Sequence, residues 1–279
     1  MSLTTPSHAA PPMRENRSSP LFTGSADAYD RFMGRYTPDL ARGLADAAGI
    51  TQGQRVLDVG CGPGGLTGEL AGRVGADHVA ALDPAQQFVE ACRERHPGVD
   101  VRTGVAECLP WVDGSFDAAL SCLVIGFVDD PVLAVREMFR VTRPGGMIAA
   151  CMWDLAEGGM TMLRTFWAAM GTVGSASGDT GRTGRARGDI AAIFRIAGLR
   201  DVAEGELRSH ARYTGFDDFW EPFSGGIGPA GQALAALTPH RRAAVRSACR
   251  AALPAGPFIL SARAWYAVAR VPAGHRHTG

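Results

Sequence analysis

VLDVGCGPGGLTGEL, residues 56–70, is a short apolar strand that runs into a glycine-rich turn and then a helix. Gly60, Gly62 and Gly64 let the backbone turn sharply and approach a ligand closely, and the following helix offers free N–H groups. Gly60-x-Gly62-x-x-Gly65 also satisfies the fingerprint of dinucleotide sites. Asp58 argues against a dinucleotide. It lies two residues before the first glycine, where its carboxylate would face the ligand and repel a pyrophosphate. A positively charged ligand suits that position better.

Outward from this stretch the chain alternates between strand and helix patterns. HVAALD is a strand, PAQQFVEACRER a helix opening with Pro84, and VDVRTG another strand. SFDAALSCLVIG, DPVLAVREMFRVT and GGMIAACMW continue the series as strand, helix and strand. This alternation predicts an α/β fold with a doubly wound, mostly parallel sheet. Asp83 ends the strand after the glycine turn, about 20 residues on, where an acidic side chain accepts ribose hydroxyls. It could equally cap the next helix. The spacing favours the ribose.

Beyond Trp153 the pattern changes. A helix near MLRTFWAAM leads into GTVGSASGDTGRTGRARG, which carries no core-forming residues and reads as a mobile loop. Next come the helix GDIAAIFRIAG with Gly198 as its C-cap, and a strand from Leu199 to about Tyr213. The aromatic segment FDDFWEPFSGG follows, then a helix with Pro239 in its first turn and a last strand, FILSARAWYAVARV. The insert between the two final strands predicts a helical cap over the carboxyl edge of the sheet. Trp153, Phe166, Trp167, Phe216, Phe219, Trp220 and Phe223 make this region aromatic. Several of them lining one cavity would suit a flat apolar small molecule.

Composition narrows the function further. With 46% hydrophobic and 20% charged residues, the chain can bury a large core. Its net charge is zero, with no basic surplus for a nucleic acid or an anionic membrane. All 28 basic residues are arginine, which removes lysine Schiff bases and a P-loop lysine. Cys61, Cys92, Cys108, Cys122, Cys151 and Cys249 are scattered without a C-x-x-C pair, so reduced thiols are expected and no metal. The first 20 residues and the end after Pro272, with His275 and His277, read as disordered tails. Neither a signal peptide nor a membrane span is legible, and a soluble cytoplasmic protein is expected.

Among the remaining histidines, His78 begins a strand, His96 ends a helix and complements its dipole, and His240 opens a cap helix. His210 stands near the carboxyl end of the strand leading into the cap, and is a candidate general base. Tyr36 and Tyr29 are the other candidates, with Tyr29 read alternatively as a residue holding the ligand. Both lie in a segment, Ser25 to Tyr36, that reads as a lid: Ser25 caps a helix carrying Tyr29, Phe32 and Met33, and Gly34 breaks it.

With the glycine turn, Asp83, Ala106-Glu107 and VTRPGG in order, the chain resembles the class I S-adenosylmethionine-dependent methyltransferases. It is most similar to their type 11, ubiquinone/menaquinone-biosynthesis-like small-molecule branch. The resemblance implies a Rossmann-like seven-stranded sheet whose last strand is antiparallel. It implies that Gly60, Cys61, Gly62 and Gly64 surround the methionine part of S-adenosylmethionine and Asp83 the ribose, with Asp58 joining them as the carboxylate that faces the cationic ligand. Pro84 and Ala85 would lie beside the adenosine, Ala106 and Glu107 at the adenine, and Cys122 and Leu123 at the methionine end. Where the family commonly has an aspartate to take the adenine amino group, Val105 cannot accept that bond.

The expected reaction is O-, N- or C-methylation of an aromatic or indolic small molecule by a monomer or homodimer. A quinone C-methyltransferase, a non-catalytic S-adenosylmethionine-binding module and a nicotinamide dehydrogenase are the alternatives. The chain divides into a tail (1–20), lid helices (21–50), the binding core (51–153), helices, loop and sixth strand (154–213), cap (214–257), last strand (258–271) and tail (272–279).

Overall fold

The computed structural model describes residues 24–175, 184–226 and 228–273. The tail at 1–20, with His8, and the pair His275 and His277 lie outside the described residues, as does 176–183 of the expected loop. Strands β1 (Val56–Val59), β2 (Val79–Asp83), β3 (Asp100–Thr103), β4 (Phe116–Cys122), β5 (Thr142–Trp153), β6 (Ala203–Tyr213) and β7 (Phe258–Arg270) form one sheet in the order β3-β2-β1-β4-β5-β7-β6. The first five pair in parallel, and β7 runs antiparallel to both β5 and β6. This is the predicted doubly wound sheet with an antiparallel last strand.

Among the described residues ten α-helices cover it: α1 (Ala26–Phe32), α2 (Thr37–Ala47), α3 (Gly65–Val74), α4 (Gln86–Arg95), α5 (Pro131–Val141), α6 (Thr161–Gly171), α7 (Asp189–Ile196), α8 (Phe216–Ser224), α9 (Gly228–Ala235) and α10 (Pro239–Ala251). Central strands buried on both faces explain the unbroken apolar runs. Val56 faces a core shared with α2, α3, α6 and the cap helices, while Leu57 and Val59 face one shared with α5 and α7. Helix starts follow their signals. The Ala28 N–H donates to Ser25 Oγ at 3.3 Å, and the Leu133 N–H donates to Asp130 Oδ1 at 2.9 Å ahead of Pro131.

Several boundaries differ from the sequence reading. β6 begins at Ala203 rather than Leu199, because the turn after Gly198 continues through Asp201 in a left-handed conformation. Helix α4 starts at Gln86, with Pro84 outside it. The aromatic segment is itself a helix, α8, since Phe216, Phe219, Trp220 and Phe223 recur at helical spacing and all point inward. The sequential strand order reverses between β1 and β4, which opens a crevice at their carboxyl ends.

Candidate functional site

The glycine turn fills that crevice. Gly60, Gly62 and Gly64 have φ of 77°, 53° and 102°, all left-handed. A Cβ on Gly60 would stand 2.4 Å from Val124, whereas one on Gly62 would meet nothing within 4 Å. The amides of Gly60 and Cys61 donate to the Leu82 carbonyl at 2.7 and 3.0 Å, and Gly62 N–H donates to Asp83 Oδ2 at 2.9 Å. A cavity of about 500 Å³ opens in front of the turn.

Two of the carboxylates that line it are buried. Asp58 is fully buried; its Oδ2 accepts the Thr67 hydroxyl at 2.7 Å, while Oδ1 has no hydrogen-bond partner. Burial, more than the nearby Asp83 charge, pushes Asp58 up to about 7. Asp83 is likewise raised by burial to about 6, although Ala85 and Gly62 amides favour its ionised form. Its Oδ1 takes the Ala85 N–H at 2.8 Å, so Asp83 both braces the approach to α4 and lines the cavity.

The other expected binding residues converge there too. Cys61, Pro84, Ala106, Glu107 and Cys122 all line the cavity. Glu107 is also a brace, its Oε1 accepting the amides of Asp129 and Asp130 at 2.8 and 3.2 Å. Cys122 lies 3.5 Å from Cys151, sulfur to sulfur, across the β4–β5 pair. Leu123 follows with φ of 65°, a conformation that L side chains rarely adopt, and donates its N–H to the Cys151 carbonyl at 2.9 Å.

Tyr29 reaches the same wall from α1, its ring edge-on to Phe88 at 5.4 Å. Burial, then the Cys122 thiol and the Asp83 and Asp30 carboxylates, raise its phenol well above the usual range. Tyr29, Leu123 and Phe127 also line a second chamber of about 50 Å³, completed by Phe32, Trp153, Trp167 and other apolar residues. None of the residues lining that chamber carries a charge.

His210 is not brought to either cavity. Along edge strand β6 the odd residues Leu207, Ser209, Ala211 and Tyr213 turn inward, and the even ones outward. His210 is exposed, with Nδ1 3.7 Å from Asp39 Oδ2. Nearness to a strand end did not reveal the face. The cap aromatics divide as well: only Trp153 and Trp167 of the seven line the chamber. Phe166, Phe216, Phe219, Trp220 and Phe223 form packed core, with Phe166 stacked on Phe223 at 4.3 Å.

Sequence reasoning missed His96 as a cavity residue. It does end α4, but its Nε2 lies 2.9 Å from the Gly64 carbonyl and its ring lines the cavity. The signal was the unusual run of small residues at 64, 65 and 68, which leaves room for a ring. His78 does not begin a strand but closes the short turn Ala76–His78 ahead of β2, where it is exposed, and His240 is exposed in the first turn of α10. Among the described residues no group of three or more His, Cys, Asp or Glu is placed to hold a metal ion. No described helix is long and apolar enough to cross a membrane.

Residues 57–150 match the family described as "Methyltransferase domain". The chain is 36% identical over 147 residues to the demethylmenaquinone methyltransferase of Renibacterium salmoninarum, covering 51% of this chain and 61% of that one. It is 39% identical over 105 residues to the malonyl-[acyl-carrier protein] O-methyltransferase of Erwinia billingiae, covering 38% and 41%. The chain thus spans roughly half the length of these curated relatives. In fold it is similar to the YcgJ protein of Bacillus subtilis, with a TM-score of 0.55 at 18% identity over 84% of this chain and 98% of that one.

Proposed function

We propose, starting from the methyltransferase domain that residues 57–150 match, that the chain transfers a methyl group from S-adenosylmethionine to a small apolar acceptor. The observation that carries this reading is the unpartnered Oδ1 of buried Asp58 in a cavity walled by the glycine turn. An orphaned carboxylate oxygen is costly unless a cationic or donor group meets it. The ammonium and sulfonium of the donor supply such charge, and a pyrophosphate does not. Asp83 offers a buried acceptor for a ribose diol, and Val105 and Ala106 offer shape and backbone for the adenine.

When bound, S-adenosylmethionine supplies an already activated methyl group, so the protein's task is alignment. Asp58, Gly60, Cys61, Gly62 and Cys122 hold the methionine end, and Leu123 and Phe127 carry the wall from the donor cavity into the chamber. Tyr29 keeps its proton at neutral pH and orients as a donor rather than abstracting a proton. The chamber has room for little more than one or two water volumes, which suits the edge of a ring or a short branched group entering first. An aromatic or indolic metabolite fits this chemistry. A quinone-like acceptor is the second reading, favoured by the similarity to a demethylmenaquinone methyltransferase.

The test combines binding and turnover. Calorimetry should show S-adenosylhomocysteine bound by the unaltered chain and at least about tenfold more weakly by Asp83→Ala, the loss of a charge-assisted acceptor. Radiolabelled methyl transfer to indole, 2-naphthol or menadiol should follow. Equal affinity in the variant would remove Asp83 from the site. Binding without transfer to any extract or panel would favour a binding module.

A further inference from the structure

The glycine turn is held from two sides. On its N–H side stand Leu82 and Asp83 of β2. On its C=O side stand Arg95 and His96, neighbours at the end of α4. Arg95 Nη1 donates to the Pro63 carbonyl at 3.3 Å, and His96 Nε2 meets the Gly64 carbonyl at 2.9 Å. A carbonyl only accepts, so Nε2 carries the proton. Burial, outweighing the Gly64 contact, lowers the imidazole's pKa and favours the neutral ring. The ring has this place because two glycines yield it: a Cβ on Gly64 would stand 2.6 Å from Cδ2, and one on Gly68 2.7 Å from Cε1.

The same guanidinium reaches the other way. Arg95 Nη1 pairs with Asp30 Oδ2 at 2.8 Å, and Nη2 lies 3.6 Å from Asp27 Oδ1, both on α1. Asp30 adjoins Tyr29, whose ring already leans on Phe88 of α4. Asp30, Arg95 and His96 all stand in the wall of the 500 Å³ cavity. One short segment of α4 therefore bonds the turn beneath the ligand space and the helix beside it.

We propose that Arg95 and His96 are positioning residues for the methyl donor: His96 holds the glycine turn in its binding shape, and Arg95 sets α1, with Tyr29, in register against it. This rests on the donor reading above. The two contributions differ in size. The Arg95–Asp30 pair is partly exposed, at 36% and 41%, and such pairs are screened. The His96 contact is wedged between Gly64 and Gly68, which fix where its donor can stand.

The experiment is calorimetric titration of the full chain with S-adenosylhomocysteine, with thermal melting to verify folding, and amide hydrogen exchange over 26–32 with and without ligand. His96→Phe keeps a ring without the donor, and His96→Asn places its amide near Nδ1; each should weaken binding about tenfold. His96→Gln, whose amide reaches the place of Nε2, should stay within about threefold of the unaltered chain. Arg95→Met should weaken binding about threefold and abolish the ligand-induced slowing of exchange in α1, while Arg95→Lys retains part of it. Equal affinity in His96→Phe and His96→Asn, or a loss in His96→Gln as large as theirs, would overturn the role of His96. Unchanged slowing in Arg95→Met would overturn that of Arg95. No binding by the unaltered chain would overturn the donor reading itself and this inference with it.

Discussion

From Asp58 to Glu107 the wall of the large cavity sets buried carboxylates and the glycine turn among apolar side chains such as Leu66, Leu82 and Phe88, whereas the cap, from Phe216 to Ala251, meets the interior with carbon. In the first region polar groups are buried and one oxygen of Asp58 is left without a partner. In the second the charges stay outside, as in the exposed pair Arg246–Asp217 at 2.6 Å, and the rings stack on one another. Incomplete satisfaction marks the place kept for a ligand, and complete packing marks the support.

The sharpest way to break this contrast is to cut the cap. Phe219 is fully buried among Tyr213, Phe216 and Phe223, so Phe219→Ala should cost ~3–5 kcal/mol of stability through lost burial and a cavity. Denaturant unfolding measures it. Donor affinity of the folded fraction should hardly move; a parallel tenfold loss would mean the two regions are one cooperative site.

Asp58→Asn tests the opposite region with a smaller, two-signed effect. The folded pKa of about 7 lies above the ordinary 3.8, so the folded chain binds the extra proton. Stability from this group is present below about pH 4 and is lost as pH rises toward 7. The asparagine variant should lose that slope and, at pH 8, melt about 2 °C or more above the unaltered chain. It should also bind the donor at least about tenfold more weakly. In the unaltered chain donor affinity should fall as pH drops through about 7 and Asp58 takes up its proton. A variant no more stable at pH 8 would show the orphaned oxygen to be hydrated.

The smallest effect is expected at His210. Exposed on the outer face of β6, it should change stability by less than about 0.5 kcal/mol when replaced by alanine, with turnover unaltered. A loss of ~10² in rate with donor affinity intact would restore it as a base.

The same contrast explains what could be read in advance. Gly60, Gly62, Gly64, Asp58 and Asp83 were legible because backbone geometry and strand ends constrain residue types at fixed spacing. The sheet was legible for a related reason, as its buried central strands leave unbroken apolar runs. His210 was not, since nearness to a strand end does not say which face a residue takes on an edge strand. Nor were the chamber walls: a buried ring in the core and a ring lining a cavity have the same sequence signature. His96 escaped because its partner is a carbonyl, which every residue carries.

Leu123 gives the junction of the two regions a particular use to a protein engineer. Its left-handed backbone costs a leucine roughly 1–3 kcal/mol, and it lies in the wall of both cavities. Glycine or asparagine at this position would relieve the strain and shorten the wall in a single exchange. Selection for bulkier acceptors and selection for thermostability would then pull the same way at this site, where in most enzymes they oppose each other.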